Sequence, residues 1–174
     1  MKKFYKKGFT LIELLIVIAL LGALAVGLLA ALDPFEQLKK GTDTGARNLA
    51  SEVQGSMIRF YALKSYMPWC NDLNCGGVTD PSGAALSSLN AMITNIVSTG
   101  ELKTNFSSLA GANLGKVYVT GSSLNAIVRV CYLPTSKAMK CETNTQYDKY
   151  GVVNTACPGA VDCGTTNSCY WCVQ

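Results

Sequence analysis

The sequence contains no histidine, which removes the most common general base and a frequent metal ligand from the possible chemistry. It also has no Gly-x-Ser-x-Gly motif and no cluster of carboxylates, so hydrolase chemistry has little support. Acidic residues are few, with 11 Asp and Glu among 174 residues. No internal repeat or low-complexity segment is present. We therefore expect a chain that is not an enzyme and needs no cofactor or metal.

Basic residues exceed acidic residues by four, and the whole excess lies at the amino terminus. Four of the 15 Lys and Arg residues precede Gly8, and the remaining 11 balance the 11 acidic residues. The sequence therefore does not indicate a basic face for nucleic acid, and no specific nucleic-acid partner is predicted. Lysines in front of an apolar segment instead predict an amino terminus in the cytoplasm.

The most apolar stretch runs from Leu14 to Leu32 without a charged or strongly polar side chain. At about 1.5 Å per residue, a helix of this length approaches the ~30 Å hydrocarbon thickness of a bilayer. One carboxylate, Glu13, lies at its front edge. The stretch predicts a single-pass membrane helix surrounded by lipid, with the following domain outside the cytoplasm.

Two simpler interpretations of this segment compete with a specialised one. A secretory signal peptide would end near Ala23-Leu24-Ala25, but the apolar run continues seven residues past Ala25. A plain membrane anchor explains the length and the lysines, and it leaves Glu13 as a residue that reaches the near interface. Neither interpretation explains why these particular residues surround Gly8.

The segment KKGFTLIE at residues 6–13, followed by the apolar run, resembles the processing signal of type IV pilin-like proteins. This family includes type IV pilins and the pseudopilins of type II secretion. The resemblance implies that a prepilin peptidase cuts after Gly8 and that Phe9 becomes the N-methylated first residue. It also implies that Glu13 is the assembly glutamate, the fifth residue of the mature chain. The implied partners are an inner-membrane assembly platform and further copies in a helical filament.

The pattern beyond the apolar run divides the chain into four parts. These are a leader peptide (1–8), a membrane and assembly helix (9–33), an amphipathic helix half (34–67) and a globular head (68–174). Pro34 either kinks one very long helix or begins a new one. The amphipathic half repeats apolar residues at helical spacing: Leu49, Val53, Met57, Phe60 and Tyr61.

The head is predicted to hold a loop, a short helix and a small antiparallel sheet. The helix carries Leu86, Leu89, Ile93 and Ile96 on one face and stops at Gly100. Two strands flank residues 121–123, and residues 139–153 are predicted to add either a third strand or a third and a fourth. The fold class is therefore α+β, and the resemblance implies a pilin-like arrangement with the long helix packed on the sheet.

Eight cysteines follow the apolar run, and an even count there predicts disulfides in an oxidising compartment. The tail from Cys157 onward lacks core residues, so cross-links are expected to hold it. Two other interpretations use the pair Cys169-x-x-Cys172. Zinc would require a second such pair, and a thiol oxidoreductase would place the pair at a helix start.

The eight cysteines allow 105 pairings in principle. We predict Cys131–Cys141, which face each other across a hairpin through residues 134–136, and Cys70–Cys75 as a local pair. The tail group is then expected to pair internally, in an order left open: Cys157, Cys163, Cys169 and Cys172.

The sequence thus predicts a structural subunit of a type IV pilus or pilus-like filament. The alternatives are a type II secretion pseudopilin and a membrane-anchored, disulfide-rich domain. The pattern does not separate pilus from pseudopilus, major from minor subunit, or adhesion from motility or DNA uptake.

Overall fold

The computed structural model describes residues 8–31, 33–157 and 169–174. The chain forms two compact units, one ending at Gln37 and the other running from Leu38 to Gln174. The helices are α1 (Leu11–Ala31), α2 (Pro34–Lys64), α3 (Asn90–Ser98), α4 (Phe106–Ala110) and α5 (Lys137–Lys140). The strands are β1 (Ala84–Ala85), β2 (Val117–Ser122), β3 (Ile127–Tyr132) and β4 (Trp171–Val173). The predicted α+β class, with an apolar amino-terminal helix and a small antiparallel sheet, is confirmed.

The predicted long amino-terminal helix is present as two helices, α1 and α2. Pro34 is the first residue of α2, where its missing amide donor costs no helical hydrogen bond. The Asp33 carboxylate accepts hydrogen bonds from the backbone N–H groups of Phe35 and Glu36, at 3.2 and 3.3 Å. Asp33 and Pro34 therefore act as the cap and first residue of a new helix.

One face of α2 enters the core of the head, as the helical spacing predicts. Leu49, Val53, Met57 and Phe60 are all buried, whereas Tyr61 is 37% exposed and lies off that face. The helix ends at Lys64, and Ser65 follows with a left-handed φ of 62°. The predicted short helix is present in part: α3 buries Ile93 and Ile96, whereas Leu86 belongs to a separate 3₁₀ helix (Leu86–Ser88) and Leu89 lies between the two.

The sheet has the strand order β1-β2-β3-β4, and every neighbouring pair is antiparallel. Val117, Val119 and Val130 share one face and are fully buried in the same hydrophobic core as α2. The opposite face carries Tyr118, whose ring meets Tyr170 edge-on at 5.6 Å between centroids. Alternation along β2 and β3 thus separates a core face from a face covered by the tail.

The prediction of further strands within residues 139–153 is wrong. Lys137–Lys140 form α5, which Ser136 caps by accepting a hydrogen bond from the Met139 amide. Tyr147 forms only isolated bridges, to Val153 and Tyr170. The outer strands instead come from Ala84–Ala85 and Trp171–Val173, which flank β2 and β3 from distant parts of the chain.

Candidate assembly and processing site

The residues around the predicted cleavage point precede the first helix and are exposed. Gly8, Phe9 and Thr10 are not helical, and α1 begins at Leu11. Phe9 is 79% exposed, and a Cβ atom added to Gly8 would meet nothing within 4 Å. Within the described residues, no close contact therefore requires glycine at residue 8. The peptide bond between residues 8 and 9 lies in an exposed segment.

Glu13 and Thr10 form a reciprocal cap at the start of α1. The Glu13 carboxylate oxygen Oε2 accepts from the Thr10 backbone N–H at 2.9 Å and from the Thr10 hydroxyl at 2.7 Å. The Glu13 backbone N–H donates to the same hydroxyl oxygen at 3.3 Å. This is a capping box, and it satisfies two amide donors that the first turn of a helix otherwise leaves unpaired.

The capping role of Thr10 was missed at the level of sequence, although its signal is present. Thr10-Leu11-Ile12-Glu13 has the Ser/Thr-x-x-Glu spacing of a capping box before an apolar run. The sequence identified Glu13 as the assembly glutamate by resemblance, without a partner in its own chain. The structure adds that this carboxylate has a fixed partner in its own chain.

The helix that follows is apolar and exposed. Leu11–Leu29 is long and apolar enough to cross a membrane, and none of that window is buried. Glu13 is its one charged residue. Such a surface is unstable in water and requires lipid or other apolar protein surface around it.

Three disulfides join described cysteines in the head: Cys70–Cys75, Cys131–Cys172 and Cys157–Cys169. The Cys70–Cys75 prediction is confirmed. The prediction of Cys131–Cys141 is wrong, because Cys131 bonds to Cys172 and Cys141 is engaged in another disulfide. Internal pairing of the tail group holds for Cys157 and Cys169 and fails for Cys172. Cys163 lies outside the described residues.

The position of Cys131–Cys172 follows from the strand register. The two residues lie directly opposite each other on β3 and β4, with 4.1 Å between their Cα atoms. So short a separation is typical of a non-hydrogen-bonded pair in an antiparallel ladder, where side chains come closest. Because Cys169 and Cys172 belong to different disulfides, the pair does not form the dithiol of a redox motif.

Two charged residues on α2 fasten the head, and sequence reasoning singled out neither. Asp43 is 3% exposed and accepts hydrogen bonds from the backbone amides of Thr135 and Ser136 and from the Thr135 hydroxyl, at 2.7–3.0 Å. Arg47 pairs with Glu142 at 3.0 Å and lies 4.7 Å from the centroid of the Trp171 ring. Both contacts tie α2 to parts of the chain far away in sequence.

Tyr132 is buried next to these charges. Burial, followed by the negative charge of Asp43, raises the pKa of the Tyr132 hydroxyl far above its ordinary value. Within the described ranges, no group of three or more His, Cys, Asp or Glu residues is placed to hold a metal ion.

Residues 3–29 match the family described as the prokaryotic N-terminal methylation motif. This is the prepilin-type signal of type IV pilins and pseudopilins, so the predicted resemblance is confirmed for this segment. The signal supports a type IV pilin-like or pseudopilin protein and implies processing by prepilin peptidase and assembly into filaments. No curated protein and no solved structure matches the chain.

Proposed function

We propose that the chain is a structural, non-enzymatic subunit of a type IV pilus or a closely related filament. The observation that carries this proposal is the combination of the methylation motif with α1, an apolar helix that buries none of its Leu11–Leu29 window. In the precursor, lipid would cover α1. In the filament, helices of neighbouring copies would take the place of lipid.

The leader lysines account for the direction of insertion. They would hold the amino terminus in the cytoplasm and place the head on the opposite side of the inner membrane, where disulfides form. Cleavage after Gly8 would remove all four lysines that precede it. The assembly platform could then draw the helix sideways out of the bilayer without moving their charges through hydrocarbon.

The capping box shapes the proposed role of Glu13 in assembly. Both hydrogen bonds from Thr10 use the oxygen Oε2, and Oε1 accepts none from the described residues. Oε1 would therefore be available for the new α-amino group of Phe9 on an adjacent copy. Pairing these charges in an apolar bundle would offset most of the cost of burying either alone, and would set the axial register.

The proposal is tested by determining the amino terminus of the assembled protein. Mass spectrometry of purified filaments should find a chain that begins with N-methylated Phe9. A bulky Gly8→Trp substitution should leave full-length precursor in the membrane, whereas Gly8→Ala should have a milder effect. Filaments built from chains that start at Met1 or at Val26 would refute the proposal.

A type II secretion pseudopilin is the second candidate within the same class. The eight cysteines favour the surface-exposed pilus, because disulfide cross-links suit a domain outside the cell. Deletion of the host's filament-retraction ATPase separates the two candidates. After this deletion, a pilus subunit should accumulate as long surface filaments, whereas a pseudopilin should show no change. If the chain is a pseudopilin, deleting its own gene should block secretion.

A further inference from the structure

An open groove lies in the head between the last part of α2 and the start of β3. Its volume is about 430 Å³, and its lining includes Ile58, Tyr61 and Met67 from α2 and the residues after it, and Ile127, Val128 and Arg129 from β3. Ile58 is 50% exposed, Tyr61 37% and Ile127 39%, so apolar surface at this β3-edge groove faces solvent. Apolar side chains concentrated at one place mark a contact surface more often than scattered ones do.

The backbone at the groove is also incompletely paired. β4 pairs with β3 only at residues 130–132, so the first half of β3 has no described strand on that side. Because Cys131–Cys172 is a non-hydrogen-bonded pair, Val130 and Tyr132 direct their amide and carbonyl groups toward β4. By alternation along the strand, the amide and carbonyl groups of Val128 point to the same side, where no described residue of β4 pairs with β3.

Arg129 also lines the groove and supplies a positive charge at this edge of the sheet. By alternation its side chain leaves β3 on the face opposite to Val130, where its stem lies close to Gly151. Its guanidinium forms no ion pair with any described residue. An apolar groove with an unpaired arginine at its rim fits a protruding apolar side chain that has a carboxylate beside it.

The head displays such a feature in the Leu73 loop, residues 70–75. Leu73 is 70% exposed, and Asp72 precedes it directly. The Cys70–Cys75 disulfide closes the loop, and Cys70 is 1% exposed. The Asp72 oxygen Oδ1 accepts from the amides of Asn74 and Cys75, each at 3.0 Å, which leaves Oδ2 without a described partner.

This construction fixes the loop before any contact is made. A disulfide across so few residues constrains the unfolded chain less than a long loop would, so its effect on stability is comparatively small. It does hold an exposed leucine and its neighbouring carboxylate in one arrangement. Preorganisation of this kind lowers the entropy cost of binding.

We propose that the Leu73 loop of one copy docks into the β3-edge groove of the next copy, with Asp72 paired to Arg129. This rests on the proposed function, which supplies further copies of the chain as neighbours. Because loop and groove are different surfaces, the contact is heterologous and repeats from copy to copy, as a helical filament requires. Leu124 is more exposed, at 95%, but its neighbours Ser123 and Asn125 carry no charge to pair with Arg129.

A charge exchange in the full-length chain tests the pairing. Arg129→Glu and Asp72→Arg should each reduce the yield of sheared filaments at least about fivefold, and the double variant should recover most of that loss. Lys103→Glu reverses an exposed charge outside the groove and should assemble like the wild type. Normal assembly of both single variants, or no recovery in the double variant, overturns the pairing of Asp72 with Arg129.

A cross-linking experiment locates the contact even if Asp72→Arg disturbs its own loop. Leu73→Cys and Ile127→Cys chains are co-expressed with an excess of wild-type chain, and intact filaments are treated with a mild oxidant. Covalent dimers should form with this pair and not with Leu124→Cys and Ile127→Cys. Filaments without the dimers contradict the docking, whereas wild-type material without filaments and without methylated Phe9 contradicts the proposed function itself.

Discussion

At the level of single residues, the contact between Trp69 and Gly121 determines how closely the β2–β3 hairpin packs on the core. Trp69 is 8% exposed, and a Cβ atom on Gly121 would overlap its ring. Gly121→Ala should therefore force the ring outward and lower the free energy of unfolding by about 1–3 kcal/mol. Gly76→Ala is the matched control, because a Cβ there meets nothing within 4 Å. Equal melting temperatures for the two variants would show that the ring is not held against Gly121.

A second residue, Asp80, links the stability of the head to pH. Desolvation opposes its ionisation, but hydrogen bonds from Ser123 and Trp69 outweigh this and lower the pKa of the carboxyl. A lowered folded-state pKa stabilises the head above the unfolded-state pKa of about 3.9, and this contribution is lost as pH falls through the lower folded value.

Asp80→Asn should therefore destabilise the head at neutral pH, on the order of 1 kcal/mol for weakened charge-assisted hydrogen bonds. The difference from the wild type should shrink as pH falls below about 4, where the carboxyl becomes protonated in the unfolded chain, and should reach its minimum below the lower folded-state pKa, where the native carboxylate is protonated as well. Thermal denaturation of both proteins from pH 2 to pH 7 measures this. A difference that stays constant over the whole range would mean that the charge of Asp80 contributes nothing.

At the level of elements, β4 is the strand that depends most on a cross-link. It has three residues, yet it carries Trp171 into the core, where that side chain is 7% exposed. Cys131→Ala with Cys172→Ala should lower the free energy of unfolding by about 2–4 kcal/mol, because the disulfide closes a long loop. The sequence separation is 41 residues, against 5 for Cys70–Cys75.

The Cys70→Ala with Cys75→Ala variant provides the comparison, and denaturant unfolding without reductant provides the measurement. The shorter loop should lose clearly less stability than the longer one. An equal or larger loss from the Cys70 pair would show that strain or packing, and not the closed loop, dominates the effect of these bonds.

The elements that sequence could predict are those specified by neighbouring residues. Helical spacing located the core face of α2, and alternation located β2 and β3, although their turn lies at residues 123–126 and not at 121–123. The pairing of Cys131 with Cys141 assumed that the chain returns through residues 134–136 as a hairpin. Those residues instead lead into α5, and the strand beside Cys131 arrives from residue 171. No local pattern specifies a partner so distant in the chain.

The residues of the candidate site also divide into those specified by their sequence neighbours and those specified by distant contacts. Gly8, Phe9 and Glu13 come from a short local motif, and Thr10 could have been added from its spacing to Glu13. Asp43 could not, since its partners Thr135 and Ser136 lie some 90 positions away and become visible only in the folded head. Contacts across such separations are set by the packing of the whole domain.

At the level of the whole molecule, the chain contains two parts that need different surroundings. The head buries its apolar residues in one core that joins α2 to the sheet. The helix α1 buries none of its spanning window. The first part covers most of its apolar core with its own chain, whereas the second needs lipid or other apolar protein surface around it.

Glu13→Val tests whether transfer from membrane to filament depends on the one carboxylate in α1. Membrane insertion should be unchanged or improved, because an acidic side chain costs up to roughly 3 kcal/mol at the centre of a span and less near its edge. Filament yield should fall sharply, since no carboxylate remains to pair with the Phe9 amine of a neighbour. The measurement compares membrane-inserted chain with sheared filament when the variant is the sole subunit. Leu14→Val, which alters the next residue without removing a charge, should assemble normally. If Glu13→Val alone forms filaments at the wild-type yield, the carboxylate does not set the register of assembly.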